Sequence, residues 1–247
     1  MDNILNFFLD NFPTNEIIVK FTIPFFIWVT LTLFVCGYLK KKRNWRTGLT
    51  RKTFHLVIFI TSAAIQSKWG MQVLCYFGAW TSLVVFYAVI RGKGNSMYEA
   101  LARENDEPNR THFVVVPWLA TFLGGVICNI YFAKYALIGY LIVGLADAIA
   151  EPVGVLWGKH RYRALSYGMN NRTTFRSLEG SASIVMMCIP IFIFGLSGLG
   201  LALNAQLIFL AILLSLLISL VEAVSPHGWD NFSLQLATAG LIHWFFN

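Results

Sequence analysis

The stretch Gly139–Tyr162, GYLIVGLADAIAEPVGVLWGKHRY, sets two carboxylates, Asp147 and Glu151, inside an apolar run and follows them at once with a basic cluster. A charge at the centre of a bilayer costs roughly 2.5–3.5 kcal/mol even on the lenient insertion scale. Such acids therefore have to be protonated, paired or bound to metal. Four residues apart, the two share one helix face. Asp147 lies about 12 residues beyond Tyr135, ~18 Å at helical rise and past the middle of a ~30 Å hydrocarbon core. Pro152 disfavours the α conformation at Glu151 and removes an amide donor, and Gly144, Gly154 and Gly158 loosen the neighbourhood. The helix is expected to break here, which a membrane tolerates where the backbone lines a cavity.

Working outward, the whole chain is 57% hydrophobic and 13% charged, against about 25% charged in soluble domains. It reads as a single all-α integral membrane domain over 1–247, a polytopic helical bundle. Apolar runs of spanning length fall near 17–39, 52–69, 71–90, 113–132, 135–157, 181–199, 203–224 and 230–246, which predicts about seven to eight spans because the second and last are short or polar-ended. The first run follows Asp10 and Glu16 rather than a basic region and is too long for a signal-peptide core, so it reads as a retained anchor. Cys36, Cys75, Cys128 and Cys188 stand singly in apolar segments, without metal-site or disulfide spacing. They are expected to be small core residues.

Sixteen of the 19 Lys and Arg residues fall in three segments, 40–52, 91–112 and 159–176, while Lys20, Lys68 and Lys134 lie elsewhere. With odd-numbered spans running inward, the three segments are cytoplasmic and the three lysines face the other side, as the positive-inside rule requires. The same orientation brings the 225–231 turn to the cytoplasmic face, so that every chemically suggestive segment shares it. The excess charge of +7 is then a topology signal and a place for phosphates rather than a nucleic-acid surface, which needs a clustered basic face on a recognisable module.

Three segments suggest chemistry besides the opening one. TRKTFHL sets Arg51 and Lys52 at a span entrance with His55 one turn deeper. In GKHRYRALSYGMNNRTTFRSLEGSAS, Lys159, Arg161, Arg163, Arg172 and Arg176 alternate with small polar residues, offering guanidinium forks and helix N-terminal amides to a polyphosphate. Ser177, Glu179 and Gly180 stand at the following helix entrance, Glu179 as a cap or metal-shell ligand. LVEAVSPHGWDNFS brings Glu222, Asp230 and Asn231 across a tight turn, and these are the hard oxygen ligands Mg²⁺ prefers. His227 in that turn has no obligatory role. The 91–112 segment, with acids and bases interspersed, reads as mixed-charge surface without chemistry. GVLWGKH is one residue short of a P-loop and lacks the Ser or Thr after Lys; GLSGLG at 195–200 follows no strand and is no dinucleotide fingerprint.

Taken in order, Arg-Lys-x-x-His, the Ala-Asp-Ala-Ile-Ala…Gly…Gly-Lys block, Arg-Ser-Leu-Glu-Gly-Ser and Glu…Asp-Asn resemble the CTP-dependent lipid-alcohol kinases. That family includes dolichol kinase, phytol and farnesol kinases and the CTP-using diacylglycerol kinase, and it is similar in general character to phosphatidate cytidylyltransferase. The resemblance covers about residues 45–235. It implies transfer of the γ-phosphoryl group of CTP to a membrane lipid alcohol, with roles for Arg51, Lys52, Asp147, Gly154, Gly158, Ser177, Glu179, Gly180, Glu222, Asp230 and Asn231. The family's usual Gly before the Asp is Ala146 here, its Lys before Ser-x-Glu-Gly is Arg176, and Glu151-Pro152 is an elaboration.

The expected site is therefore catalytic at Asp147, Glu151 and Asp230. Arg51, Lys52, Lys159, Arg172, Arg176, Ser177, Gly180 and Asn231 would hold the nucleotide phosphates, and Asp147, Glu179, Glu222 and Asp230 would hold Mg²⁺. Partners are a nucleoside triphosphate and a membrane lipid, with no nucleic acid. The location is a bacterial inner membrane or an endoplasmic-reticulum-type membrane, with the site on the cytoplasmic face. A cytidylyltransferase that activates a lipid phosphate is the alternative, and an ion-coupled transporter using Asp147 and Glu151 as a relay is a more distant one.

Overall fold

The computed structural model describes residues 2–164 and 174–246. Helices dominate: α1 (Asp2–Asp10), α2 (Asn15–Arg43), α3 (Thr47–Trp69), α4 (Met71–Arg91), α5 (Ser96–Leu101), α6 (His112–Leu141), α7 (Ala148–Trp157), α8 (Leu178–Gly198), α9 (Ala205–Val224) and α10 (Asp230–Phe246). Among the described residues five helical stretches are long and apolar enough to cross a membrane: α2, α4, the continuous stretch His112–Trp157, α8 and α9. The chain divides into two compact units, Met1–Trp118 and Leu119–Asn247.

In the first unit α2 packs on α3, α4 and α5. Thr14 caps α2 by accepting from the Ile17 amide, and Asn44 ends it in the left-handed conformation, as short polar side chains at helix ends do. Its buried residues Phe21, Phe25, Val29, Leu33, Cys36 and Gly37 recur at helical spacing, while Val19, Ile23, Ile27 and Leu31 stay exposed. An apolar exterior is what a lipid solvent demands. Gly37 admits α5, since a Cβ there would lie 2.5 Å from the Ser96 carbonyl oxygen.

The segment after α4 is an ordered knot rather than the mixed-charge surface read from its composition. Arg110 is buried, donating to Glu99 Oε2 at 2.6 Å and to the carbonyls of Ala102 and Arg103. Asp106 is buried as well, and Lys40 at the end of α2 reaches Glu104 and Thr47. A guanidinium presents five donors in a fixed fork, so one Arg ties several carbonyls together, which charge counting does not reveal.

The second unit is built on a reversal. Phe132 leaves helical geometry (φ −134°, ψ 31°), Asn129 donates to the Tyr140 hydroxyl, and a Cβ on Gly125 would lie 3.7 Å from that hydroxyl. In a straight helix, positions 125 and 140 would be about 22 Å apart, so α6 folds back at Phe132, between the runs read at 113–132 and 135–157. Glycines on both arms admit α10: a Cβ on Gly124 would lie 2.9 Å from Gln235 Nε2, and one on Gly139 would lie 3.3 Å from the Gln235 carbonyl. Small residues that let backbones approach are the usual means of helix packing in lipid.

The break expected at Glu151-Pro152 is absent, and the irregularity in this segment is a change of helical pitch further upstream. Ile142–Asp147 widens into a π-helix, and α7 then runs through Pro152 without interruption. The irregular turns lie upstream of the ring that removes a donor, and π insertions of this kind are frequent at functional sites. After α7 come two antiparallel strands, β1 (Arg161–Ala164) and β2 (Thr174–Ser177), in the register Arg161↔Ser177, Tyr162↔Arg176, Arg163↔Phe175. Where the sequence suggests only a loop, the Arg-Tyr-Arg and Phe-Arg-Ser alternations form a hairpin that leads straight into α8.

Candidate functional site

Asp147 closes the π segment and is 3% exposed; Glu151 is half-buried one turn further along α7. Helix α7 packs on the start of α8 through three glycines. A Cβ on Gly180 would lie 3.2 Å from the Ala150 carbonyl and from Ser177 Oγ, one on Gly154 would lie 3.1 Å from Ser177 Oγ, and one on Gly158 would fall on the Gly154 carbonyl and 2.7 Å from Ser177 Oγ. Ser177 itself is the N-cap of α8, its hydroxyl accepting from the Gly180 amide at 3.1 Å. Ser177 and Gly180, read as phosphate ligands, are thus brought together as a cap and a packing notch. The Gly180 amide already has its acceptor.

The hairpin divides its side chains between two faces, because residues directly opposite each other point the same way. On one face Tyr162 reaches the Ser181 hydroxyl at 2.7 Å. On that face too, Arg176 reaches the end of α9: its Nε lies 3.1 Å from Glu222 Oε1, the two side chains being 16% and 10% exposed, and Nη2 donates to the Ser225 carbonyl at 3.3 Å. Among the described residues, buried Nη1 has no hydrogen-bond acceptor. Arg176 therefore joins the β2–α8 corner to the α9–α10 turn. Tyr162 and the Ser225 carbonyl escape a sequence reading because their part depends on strand register, although a Tyr opposite an Arg in a short alternation is the signal that points to it.

Glu179 turns to His160, whose Nδ1 lies 2.8 Å from Oε1 and whose amide donates to both carboxylate oxygens. Across the turn, Asp230 begins α10 and accepts from the Asn231 amide at 3.0 Å, and the Asn231 side chain donates to Thr121 Oγ1 at 2.7 Å. Lys159 is exposed beside the hairpin. Arg172 lies outside the described residues. Arg51 and Lys52 belong to α3 in the first unit, Lys52 buried and Arg51 half-buried.

No protein-family model, curated protein or solved structure matches the chain. The site is therefore argued from its own chemistry. Among the described residues no three His, Cys, Asp or Glu side chains converge on a point where they would hold a metal. Glu222 is engaged by Arg176 and Glu179 by His160, so the four expected ligands Asp147, Glu179, Glu222 and Asp230 do not form one resident centre. For Glu222 the physical reason is that a carboxylate in low dielectric takes the nearest cation, here Arg176. Mg²⁺ usually takes only one or two carboxylates together with substrate phosphates. Asp147 and Asp230 are carboxylates of the kind that would serve such an ion together with a nucleotide's phosphates.

Proposed function

We propose that the chain is a membrane-embedded phosphotransferase that moves the γ-phosphoryl group of a nucleoside triphosphate, CTP in preference, to the hydroxyl of a membrane lipid alcohol of the polyprenol, phytol or diacylglycerol class. The observation that carries the reading is Arg176. Its Nη1 is an enclosed donor without an acceptor among the described residues, which costs about 1–3 kcal/mol, and a phosphate oxygen is the acceptor a guanidinium fork fits best. The ordered motifs supply the reaction class and the choice of CTP.

In this reading Arg176 and Lys159, with Arg172, neutralise the nucleotide phosphates, and Asp147 and Asp230 receive the Mg²⁺ that accompanies them. That ion supplies charge neutralisation at the transferring group. Arg51 and Lys52 enter through the motif resemblance alone. The lipid O–H attacks the γ-phosphorus, the bond to the β-phosphate oxygen breaks, CDP leaves, and Glu151 takes the hydroxyl proton. Phosphoryl transfer asks a protein mainly for positioning and charge stabilisation, so carboxylates and cations suffice without a covalent intermediate. The finer topology belongs to the same proposal: seven to eight spans, with the site on the cytoplasmic face.

The test is which phosphorus reaches lipid. With the full chain reconstituted beside lipid alcohols, CTP and Mg²⁺, label from the γ position should enter lipid and CDP should accumulate. Label from the α position entering a lipid phosphate, with release of pyrophosphate, would assign a cytidylyltransferase instead. Absence of nucleotide turnover in both assays would overturn both enzyme readings.

A further inference from the structure

The face of the hairpin turned away from Arg176 has no part in the proposed chemistry. It carries Arg161, and further along it Arg163 directly opposite Phe175. All three are exposed, Phe175 at 61%. Beside it the end of α7 leaves Val155, Leu156 and Trp157 exposed, Trp157 at 64%, and the first residue of α8, Leu178, is exposed too. Lys159 and His160 link these apolar residues to β1 and are themselves exposed. Three large apolar side chains, an aromatic pair and three Lys or Arg side chains thus crowd one corner.

A soluble surface has no reason to gather them, and their depth suggests what covers them. Trp157 ends one of the helical stretches long enough to span the membrane and Leu178 begins the next. The hairpin between them stands where hydrocarbon gives way to headgroups, the level at which Trp and other amphipathic side chains settle. At that level an exposed Phe is solvated by acyl chains, while Arg and Lys extend to the phosphates above it. Tyr162 and Arg176 hold the opposite face to α8 and α9, so the hairpin has a fixed orientation.

We propose that this outer face is a lipid-binding surface selective for anionic headgroups, in which Phe175 and Trp157 sit among acyl chains and Arg161 and Arg163 bind the headgroup phosphate of an acidic phospholipid. The occupant is lipid rather than a protein partner because the cations are interleaved with apolar residues and continuous with two span ends. The surface does not depend on the nucleotide chemistry and would stand if that reading failed.

The test uses the purified full chain in nanodiscs of phosphatidylcholine mixed with phosphatidylglycerol, without nucleotide. Lipids retained after detergent extraction are quantified by mass spectrometry. The native chain should retain phosphatidylglycerol in excess of its share. The Arg161→Gln/Arg163→Gln double variant should lose that preference roughly tenfold or more, the scale of two interfacial cations, whereas Arg161→Lys/Arg163→Lys should keep most of it. Benzoylphenylalanine in place of Phe175 should photo-crosslink to lipid. An unchanged lipid preference in the Gln variant, with monodisperse protein, would overturn the proposal. So would crosslinking at position 175 to protein alone. If the Gln variant is not monodisperse, the position-175 crosslink in the otherwise native chain decides.

Discussion

At the scale of single residues, Asp147 shows what an apolar sequence discloses. An acid inside such a run is expected to be enclosed, and of the two here Asp147 is buried while Glu151 is half-buried. Its neighbours' roles were not legible, because Ser177 and Gly180 look alike as phosphate ligands or as a cap, and only the approach of α7 separates the two. Asp147→Asn is expected to abolish phosphoryl transfer while leaving the protein extractable and monodisperse, since a neutral amide lowers the insertion cost but is a poor substitute for a carboxylate oxygen as a ligand to Mg²⁺. Near-native turnover would remove Asp147 from the mechanism. Arg176 and Glu222 should behave differently. Arg176→Gln leaves a buried carboxylate without its cation, a loss of roughly 3–5 kcal/mol when a buried pair is broken, whereas the double change Arg176→Gln/Glu222→Gln should recover much of that stability but not activity. Thermal unfolding in detergent, read beside turnover, separates the two effects.

At the scale of elements, long apolar helices were visible from their runs, while the hairpin and the knot after α4 were not. Four-residue strands give too short an alternation to stand out among Gly, Ser and Asn. The knot depends on where Arg110 points, which composition does not encode. That knot carries a pH dependence of definite sign. Burial by itself would raise the Glu99 carboxyl, but the Arg110 hydrogen bond, the Gly94 amide and the charges of Arg110 and Lys40 outweigh it and hold the group below its ordinary value. The stabilisation is therefore complete above the unfolded carboxylate range and is lost as pH falls through the lower folded value. Hydrogen exchange at 94–111 should be pH-insensitive, after correction for intrinsic rates, from neutrality down to the usual glutamate range and should quicken below it. In Glu99→Gln that acid-induced step should be absent, and a step of equal size would assign it elsewhere. The α7–α8 corner offers a packing test. Gly158→Ala puts a methyl onto the Gly154 carbonyl and Ser177, where neither neighbour is a flexible side-chain end, so overpacking should cost about 1–3 kcal/mol and lower the unfolding midpoint by several degrees.

At the scale of the whole molecule, α3 and α10, which are not among the five stretches long and apolar enough to cross a membrane, are instructive. Helix α3 carries Thr47, Thr50 and Lys52 at buried positions, and α10 carries Asn231, Gln235 and Thr238 likewise. A mean over the sequence counts these groups against insertion, yet polar side chains enclosed by protein do not meet lipid, so the average understates what such a helix can do. The 17 residues of α10 extend about 25 Å, within the range that local bilayer thinning accommodates. The expectation is that α10 crosses, which puts a reporter fused after Asn247 on the same, non-cytoplasmic side as one at the N-terminus. Paired fusions to alkaline phosphatase, active only outside the cytoplasm, and to green fluorescent protein, fluorescent only inside when exported through the general secretory route, read this directly. Phosphatase activity at both ends is the eight-span outcome. Activity at the N-terminus with fluorescence at the C-terminus would leave α10 on the cytoplasmic side and reduce the count to seven, without moving the turn that holds Glu222 and Ser225. Fluorescence at both ends would reverse the orientation that the basic segments require, and with it the proposal that Arg176 meets a cytoplasmic nucleotide.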